Sequence, residues 1–202
     1  MCQTLALLSD LSNVVNALVF RYEIRDTRYE MKSKSMLTRL IETPLGVLEI
    51  ALDNSDLNKP FYRYFEFKQK DELLDLNNSS HHELLDLAAT QFNEYFSGQR
   101  KTFSDLVPFF HSLGTDFQKQ VWHALLDIPY GETCSYSDLA NLLDNPKAVR
   151  AVGAANGKNP LAIVVPCHRV IGSNGTLTGY AGGLDKKQWL LEFENPQSKL
   201  SF

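Results

Sequence analysis

The chain has 202 residues, 44% hydrophobic and 22% charged, with 11 Gly, 8 Pro and a formal net charge of -4. This composition suits a globular protein with an apolar core and excludes collagen-like, coiled-coil, low-complexity and disordered chains, and no internal repeat marks a solenoid. Three cysteines (Cys2, Cys134, Cys167) are too few, and odd in number, for a disulfide-stapled secreted domain, so a reducing cytoplasmic setting is expected.

Residues 1–35 read as an N-terminal extension, loosely attached. Met1 to Phe20 can form an amphipathic helix, whereas Arg21 to Ser35 is charge-rich with no apolar face. Met31 and Met36 lie downstream, as in an upstream extension of a shorter protein; an N-terminal helix packed on the main body is the simpler alternative. The longest apolar stretch, Leu11 to Phe20, is broken by Ser12, Asn13 and Asn16 and is too short to span a bilayer. With Asp10 beside it and no basic residue before it, it does not read as a signal peptide.

Residues 36–105 are expected to form a small α/β domain. Leu40–Thr43 and Val47–Leu52 flank a Pro44-Leu45-Gly46 turn and predict a hairpin. Tyr62–Phe67 alternates aromatic and polar residues like a third strand. His82–Phe96 carries Leu84, Leu85, Leu87, Phe92 and Phe96 at helical spacing, with Gly98 as a stop.

After a connector, residues 112–198 are expected to form a mainly helical domain. Thr115 or Asp116 can cap a helix that ends before Pro129, and Ser135 or Ser137 a short helix through Leu143. Asn145-Pro146 opens another over Lys147–Ala155, with Gly157 past its end. Two short helices joined by a tight turn predict a helix-turn-helix. An apolar run, Leu161–Val165, leads into Pro166-Cys167-His168-Arg169, and a glycine-rich stretch precedes a last helix, Asp185–Glu194. The fold class is therefore α/β in the α+β sense, a sheet-bearing N-terminal part followed by helices.

Charge is uneven. From Ser112 to Phe202 eight acidic and eight basic residues balance, so the excess of acid lies in the first half, 16 against 12. Between Asn145 and Leu184 the bases Lys147, Arg150, Lys158 and Arg169 occur without any acid. A locally positive strip of this kind permits phosphate contact; solvated surface charge is the plainer reading.

Cys167 is the candidate nucleophile. An unperturbed thiol has a pKa of about 8.5 and is a thiolate to only a few per cent at neutral pH. A neighbouring imidazole, a cation or helix-end N–H groups raise that fraction. His168 follows directly, but adjacent residues of a strand face opposite ways, so it reaches the sulfur only if the chain bends at Pro166. The imidazole needs an orienting carboxylate, and Glu192 and Glu194 on the closing helix both qualify.

The strings Tyr136-Ser137-Asp138-Leu139-Ala140, Asn145–Asn156, Asn159–Gly172, Gly179–Leu184 and Trp189-Leu190-Leu191, together with Gly175 and Lys187, closely resemble the O6-alkylguanine-DNA alkyltransferase family. The likeness runs from about Gly114 to Glu194, and its most specific element is Pro166-Cys167-His168-Arg169-Val170. The resemblance implies irreversible, stoichiometric transfer of the alkyl group of O6-alkylguanine, and of O4-alkylthymine as an extension, from double-stranded DNA to Cys167. It implies no cofactor and no obligate protein partner, and a monomer. His168 would act through a water as base, held by Glu194, and Asn159 would brace the turn before the active-site strand. Tyr136 would crowd the target phosphate or give a proton to the departing base. Arg150 would fill the gap left by the flipped nucleotide, with Ala151 and Lys147 on the same DNA-facing surface. The carbonyls of Cys167 and Val170 would read the guanine edge, and Tyr180 and Ala181 would line the pocket. The small residues there suggest room for alkyl groups larger than methyl. No metal is expected: Cys2 and the His81-His82 pair lack the spacing of a four-ligand site. An alkylation-sensing helix-turn-helix regulator is the alternative, and would need an effector domain.

Overall fold

A computed structural model describes residues 36–69, 80–110 and 113–197. The expected N-terminal extension, 1–35, and its helix lie outside the described residues. From Leu37 onward the described residues form one compact unit.

Strands β1 (Met36–Thr43), β2 (Gly46–Asp53) and β3 (Phe61–Phe67) form one sheet in that order. The turn after Thr43 is closed by its hydroxyl, which donates to Gly46 O at 2.6 Å. β2 and β3 are antiparallel, in register from Leu48↔Phe67 to Asp53↔Phe61 with an irregularity at Ala51/Leu52. Helix α1 (Glu83–Phe96) packs on β2. It buries Leu84, Leu85, Ala88, Ala89, Phe92 and Tyr95, the spacing of a single helical face. His82 caps its first turn through its imidazole, and Gly98 ends it in the left-handed region at φ +77°.

Helix α2 (Asp116–Leu126) starts with a reciprocal capping box between Thr115 and Gln118. A second box, Ser135 with Asp138, starts α3 (Tyr136–Leu142). The next helix departs from the expected Lys147–Ala155. Pro146–Ala148 form a 3-10 turn, and α4 (Val149–Gly157) follows. Gly157 is the last helical residue rather than the stop, because its φ is not left-handed and the chain leaves the helix at Lys158. Trp122 Nε1 on α2 donates to Ala155 O on α4 at 2.9 Å, tying the helix pair to the body.

The run after α4 is not a strand. It makes one parallel bridge, Phe65↔Leu161, in which Phe65 N–H donates to Pro160 O (2.8 Å) and Ala162 N–H to Phe65 O (3.2 Å). The chain then turns twice and enters β5 (Val170–Ile171), which pairs in parallel with β4 (Cys134–Ser135). Helix α5 (Leu184–Glu194) closes the fold. One apolar core runs through both halves, from Ile50, Phe65 and Phe92 to Leu125, Val152 and Leu190.

Candidate active site

The nucleophile sits on a backbone bent by two successive three-residue turns. In the first, Val164 N–H donates to Ala162 O at 2.8 Å across Ile163, a buried β-branched residue held at φ +71°. This γ-turn geometry is strained, by about 1–3 kcal/mol for a non-glycine residue. In the second, Cys167 N–H donates to Val165 O at 2.8 Å across Pro166 (φ -81°, ψ 59°). Cys167–Arg169 then form a single 3-10 turn. The required bend therefore lies at Pro166, and Cys167, His168 and Arg169 are not alternating strand residues.

Asn159 holds the turn shut. Its Oδ1 accepts from Leu161 N–H (3.0 Å), and its Nδ2 donates to Val165 O (2.8 Å) and to Cys167 Sγ (3.1 Å). Cys167 is 6% exposed. Burial pushes its thiol above the ordinary range, while the Asn159 hydrogen bond and the charge of Lys187 pull the other way.

Behind the sulfur lies a buried polar cluster around Glu194. Oε1 accepts from His168 Nε2 (3.0 Å), an Arg169 terminal nitrogen (2.9 Å) and the Tyr95 hydroxyl (2.8 Å). Oε2 accepts from Arg169 Nε (2.8 Å) and Gly131 N–H (3.2 Å). Gly131 stands at φ +79°, and a side-chain carbon there would meet Glu194 O at 2.9 Å, so only glycine fits. Burial alone would raise the Glu194 carboxyl, but His168 and Arg169 hold it well below the usual carboxylate range. An ionised carboxylate can only accept, so His168 Nε2 carries the proton. The other ring nitrogen, Nδ1, is buried without a hydrogen-bond partner among the described residues. Burial lowers the pKa of His168 against the opposing pull of Glu194, which favours a neutral imidazole. Glu192 pairs with Gln188 instead, at 2.9 Å.

The β4–β5 pairing (Ser135↔Ile171) sets the start of α3 beside the nucleophile turn. Tyr136 is thereby placed next to the glycine-rich loop, with its hydroxyl donating to Thr178 O at 3.2 Å. Fully buried Lys187 donates to Val170 O and Thr178 O, both at 2.6 Å, and pins that loop to the turn. Burial lowers its pKa to about 8.

A cavity of ≈ 240 Å³ opens over the sulfur. Cys167, Asn159, Tyr180 and Ala181 line it, and Tyr64 and Phe67 of β3 form part of its wall. The Tyr180 hydroxyl is buried and has no hydrogen-bond partner among the described residues. Val170 is not on the lining; its carbonyl faces Lys187. Arg150 and Ala151 on α4 and Lys147 before it are exposed on the helix pair, away from the buried cluster. Sequence reasoning gave no role to Tyr95, Asn156 or Lys187 and counted Arg169 in a positive strip open to phosphate, whereas Arg169 is buried and committed to Glu194 and Ile128 O. Asn156, buried on α4, reaches Cys167 O at 3.4 Å. Among the described residues, no three His, Cys, Asp or Glu side chains gather as a metal site.

A family model described as the 6-O-methylguanine DNA methyltransferase DNA-binding domain matches residues 116–196. A methylated-DNA--protein-cysteine methyltransferase of Methanosarcina acetivorans is 46% identical over 160 residues, covering 79% of this chain and 98% of the relative. The chain belongs to the methylated-DNA--protein-cysteine methyltransferase family. The inducible Bacillus subtilis methyltransferase is 49% identical over 144 residues, 70% of this chain and 76% of that one. A crystal structure of Mycobacterium tuberculosis OGT in complex with DNA aligns with a TM-score of 0.65 at 42% identity, covering 79% of this chain and 92% of that chain. In this methyltransferase-family chain the family model spans the nucleophile turn and both helices of the helix-turn-helix, whereas Tyr64, Phe67 and Tyr95 precede it.

Proposed function

We propose that this protein repairs DNA by direct reversal, moving the alkyl group of O6-alkylguanine onto Cys167 Sγ once and irreversibly. A buried sulfur at the floor of a cavity, backed by an imidazole whose proton position is fixed, carries this reading. DNA is the partner, and the substrate is its alkylated base, acted on by a single copy of the chain in a reducing compartment.

The thiol is held protonated, so the reaction needs a base. His168 Nδ1, its lone pair free, takes the thiol proton through a bridging water, and Glu194 stabilises the imidazolium without being protonated itself. The sulfur lone pair attacks the alkyl carbon in line with the C–O6 bond. The S–C bond forms as the C–O bond breaks, and its electron pair stays on the guanine. A proton from Tyr136 or solvent restores neutral guanine. Burial raises the pKa of Tyr136, so its phenol is protonated at neutral pH and is able to donate. The Tyr180 O–H, without a partner among the described residues, is a donor for the bound base.

The alkylated atom cannot reach a buried sulfur from inside a duplex, so the nucleotide rotates out, at a cost of a few kcal/mol in lost stacking. Exposed Arg150, Ala151 and Lys147 lie on the helix pair suited to this contact. The cavity volume, with Ala181 and Gly182 at its border, supports acceptance of groups larger than methyl.

Duplex DNA carrying labelled O6-methylguanine tests the reading. Wild-type protein should retain one label per chain, and Cys167→Ser none. Label released catalytically, or lesion binding without labelling, would overturn it.

A further inference from the structure

Glu194 Oε1 is shared by three donors, and one of them comes from a part of the chain that the family model does not cover. Tyr95 lies in the last turn of α1, ninety-nine residues from Glu194, and is fully buried. Its ring is fixed by Phe96 (centroids 5.2 Å apart), Phe103 (5.4 Å) and Phe193 (5.5 Å), which leaves the hydroxyl one direction to point. It donates to the same oxygen that receives His168 Nε2.

We infer that Tyr95 is a positioning residue for alkyl transfer, its hydroxyl drawing charge from Glu194 so that His168 stays neutral and able to accept the thiol proton at physiological pH.

A carboxylate that holds an imidazole by one hydrogen bond also stabilises the imidazolium, which would leave the base already protonated and idle. Each additional donor on the carboxylate weakens that pull. Arg169 supplies two N–H groups and Gly131 one, and Tyr95 supplies the remaining donor to Oε1 itself. The other groups facing the cluster are the Tyr130 phenol on the turn, Lys187 on α5, and Cys167 and Tyr180 on the cavity side. Lys187 and Arg169 add positive charge, which also opposes protonation of the ring. Burial keeps the Tyr95 hydroxyl protonated, so it acts as a donor throughout the working pH range.

The inference rests on Cys167 being the alkyl acceptor, and two measurements on the full-length chain separate it from that reading. The first is an imidazole NMR titration of His168, which needs no reaction. The second is the single-turnover rate of transfer from a methylated oligonucleotide between pH 5.5 and 9. Tyr95→Phe keeps the ring and its packing. It should raise the His168 pKa and the acid limb of the rate profile together, by about half to one pH unit, with the plateau at higher pH within about threefold of wild type. Site-specific replacement of Tyr95 by a ring-fluorinated tyrosine, a stronger donor, should move both the other way and covers the case in which Tyr95→Phe does not fold. An unmoved His168 pKa and acid limb, whatever happens to melting temperature or plateau rate, would reduce Tyr95 to a packing residue. If wild-type protein takes up no label, the proposed function fails, and the titration alone then decides whether Tyr95 sets the ionisation of His168.

Discussion

Between Asn159 and Val170 the polar side chains are buried or half-buried and committed to a partner, whereas on α4 and the turn before it the residues expected to meet DNA stand in solvent. Asn159, His168 and Arg169 each serve the nucleophile turn through bonds of 2.7 to 3.1 Å. Lys147, Arg150 and Ala151 are exposed. In the first region a substitution alters protonation, backbone shape and stability together, because the same bonds carry all three. In the second it alters only what is bound.

The largest test of that contrast is Glu194→Gln. The amide leaves Arg169 buried without a counter-charge and deprives His168 of an ionised acceptor. Stability should fall by about 3–5 kcal/mol in denaturant unfolding, and transfer by on the order of a hundredfold or more in single-turnover labelling. A variant as stable as wild type would break the contrast. The same cluster sets the acid response. His168 has a folded pKa below its unfolded value, so its contribution is complete above about pH 6.5 and is lost as pH falls below that. Glu194 is also depressed, so its contribution is complete above about pH 4.5 and is lost on further acidification. Melting temperature should therefore decline in two stages on the acid side, and Glu194→Gln should remove the lower one.

Arg150→Ala should leave stability within about 0.5 kcal/mol. Transfer from duplex DNA should slow by on the order of tenfold while transfer from a free alkylated base is unchanged, since only the duplex requires unstacking. Equal slowing on both substrates would place Arg150 in the chemistry. Smallest is Lys147→Ala. It should lower the slope of log affinity against log salt by about 0.9, as for one lost phosphate contact, with the transfer rate at saturating DNA unaltered.

The two regions were not equally legible in the sequence. Caps and turns announce themselves locally: Thr115 with Gln118, Ser135 with Asp138, and the glycine after Phe96 each act within four residues. The three-stranded sheet followed from the apolar runs flanking Pro44-Leu45-Gly46 and the alternation of Tyr62–Phe67. Spacing could not choose between Glu192 and Glu194, because the choice depends on where α5 docks. Nor could it show that Pro166 closes a turn of its own, or that Ile163 adopts a left-handed backbone that a β-branched residue ordinarily avoids. Tyr95 gave no signal, since an aromatic on an apolar helix face reads as core, and its partner is ninety-nine residues away. Arg169 and Asn156 did leave a trace. A guanidinium or an amide among buried apolar neighbours demands a partner, and Arg169 lies beside the nucleophile in the chain.

The bridge between Phe65 and Leu161 bears on whether the recognition module is portable. The family model begins at residue 116, but the hydrogen bonds do not respect that boundary. A transplant of the matched span alone would strip Pro160 O and Ala162 N–H of their partners, remove one wall of the cavity and leave Glu194 a donor short. The helix pair is a cassette in sequence only; its active-site turn is co-owned by the sheet that precedes it.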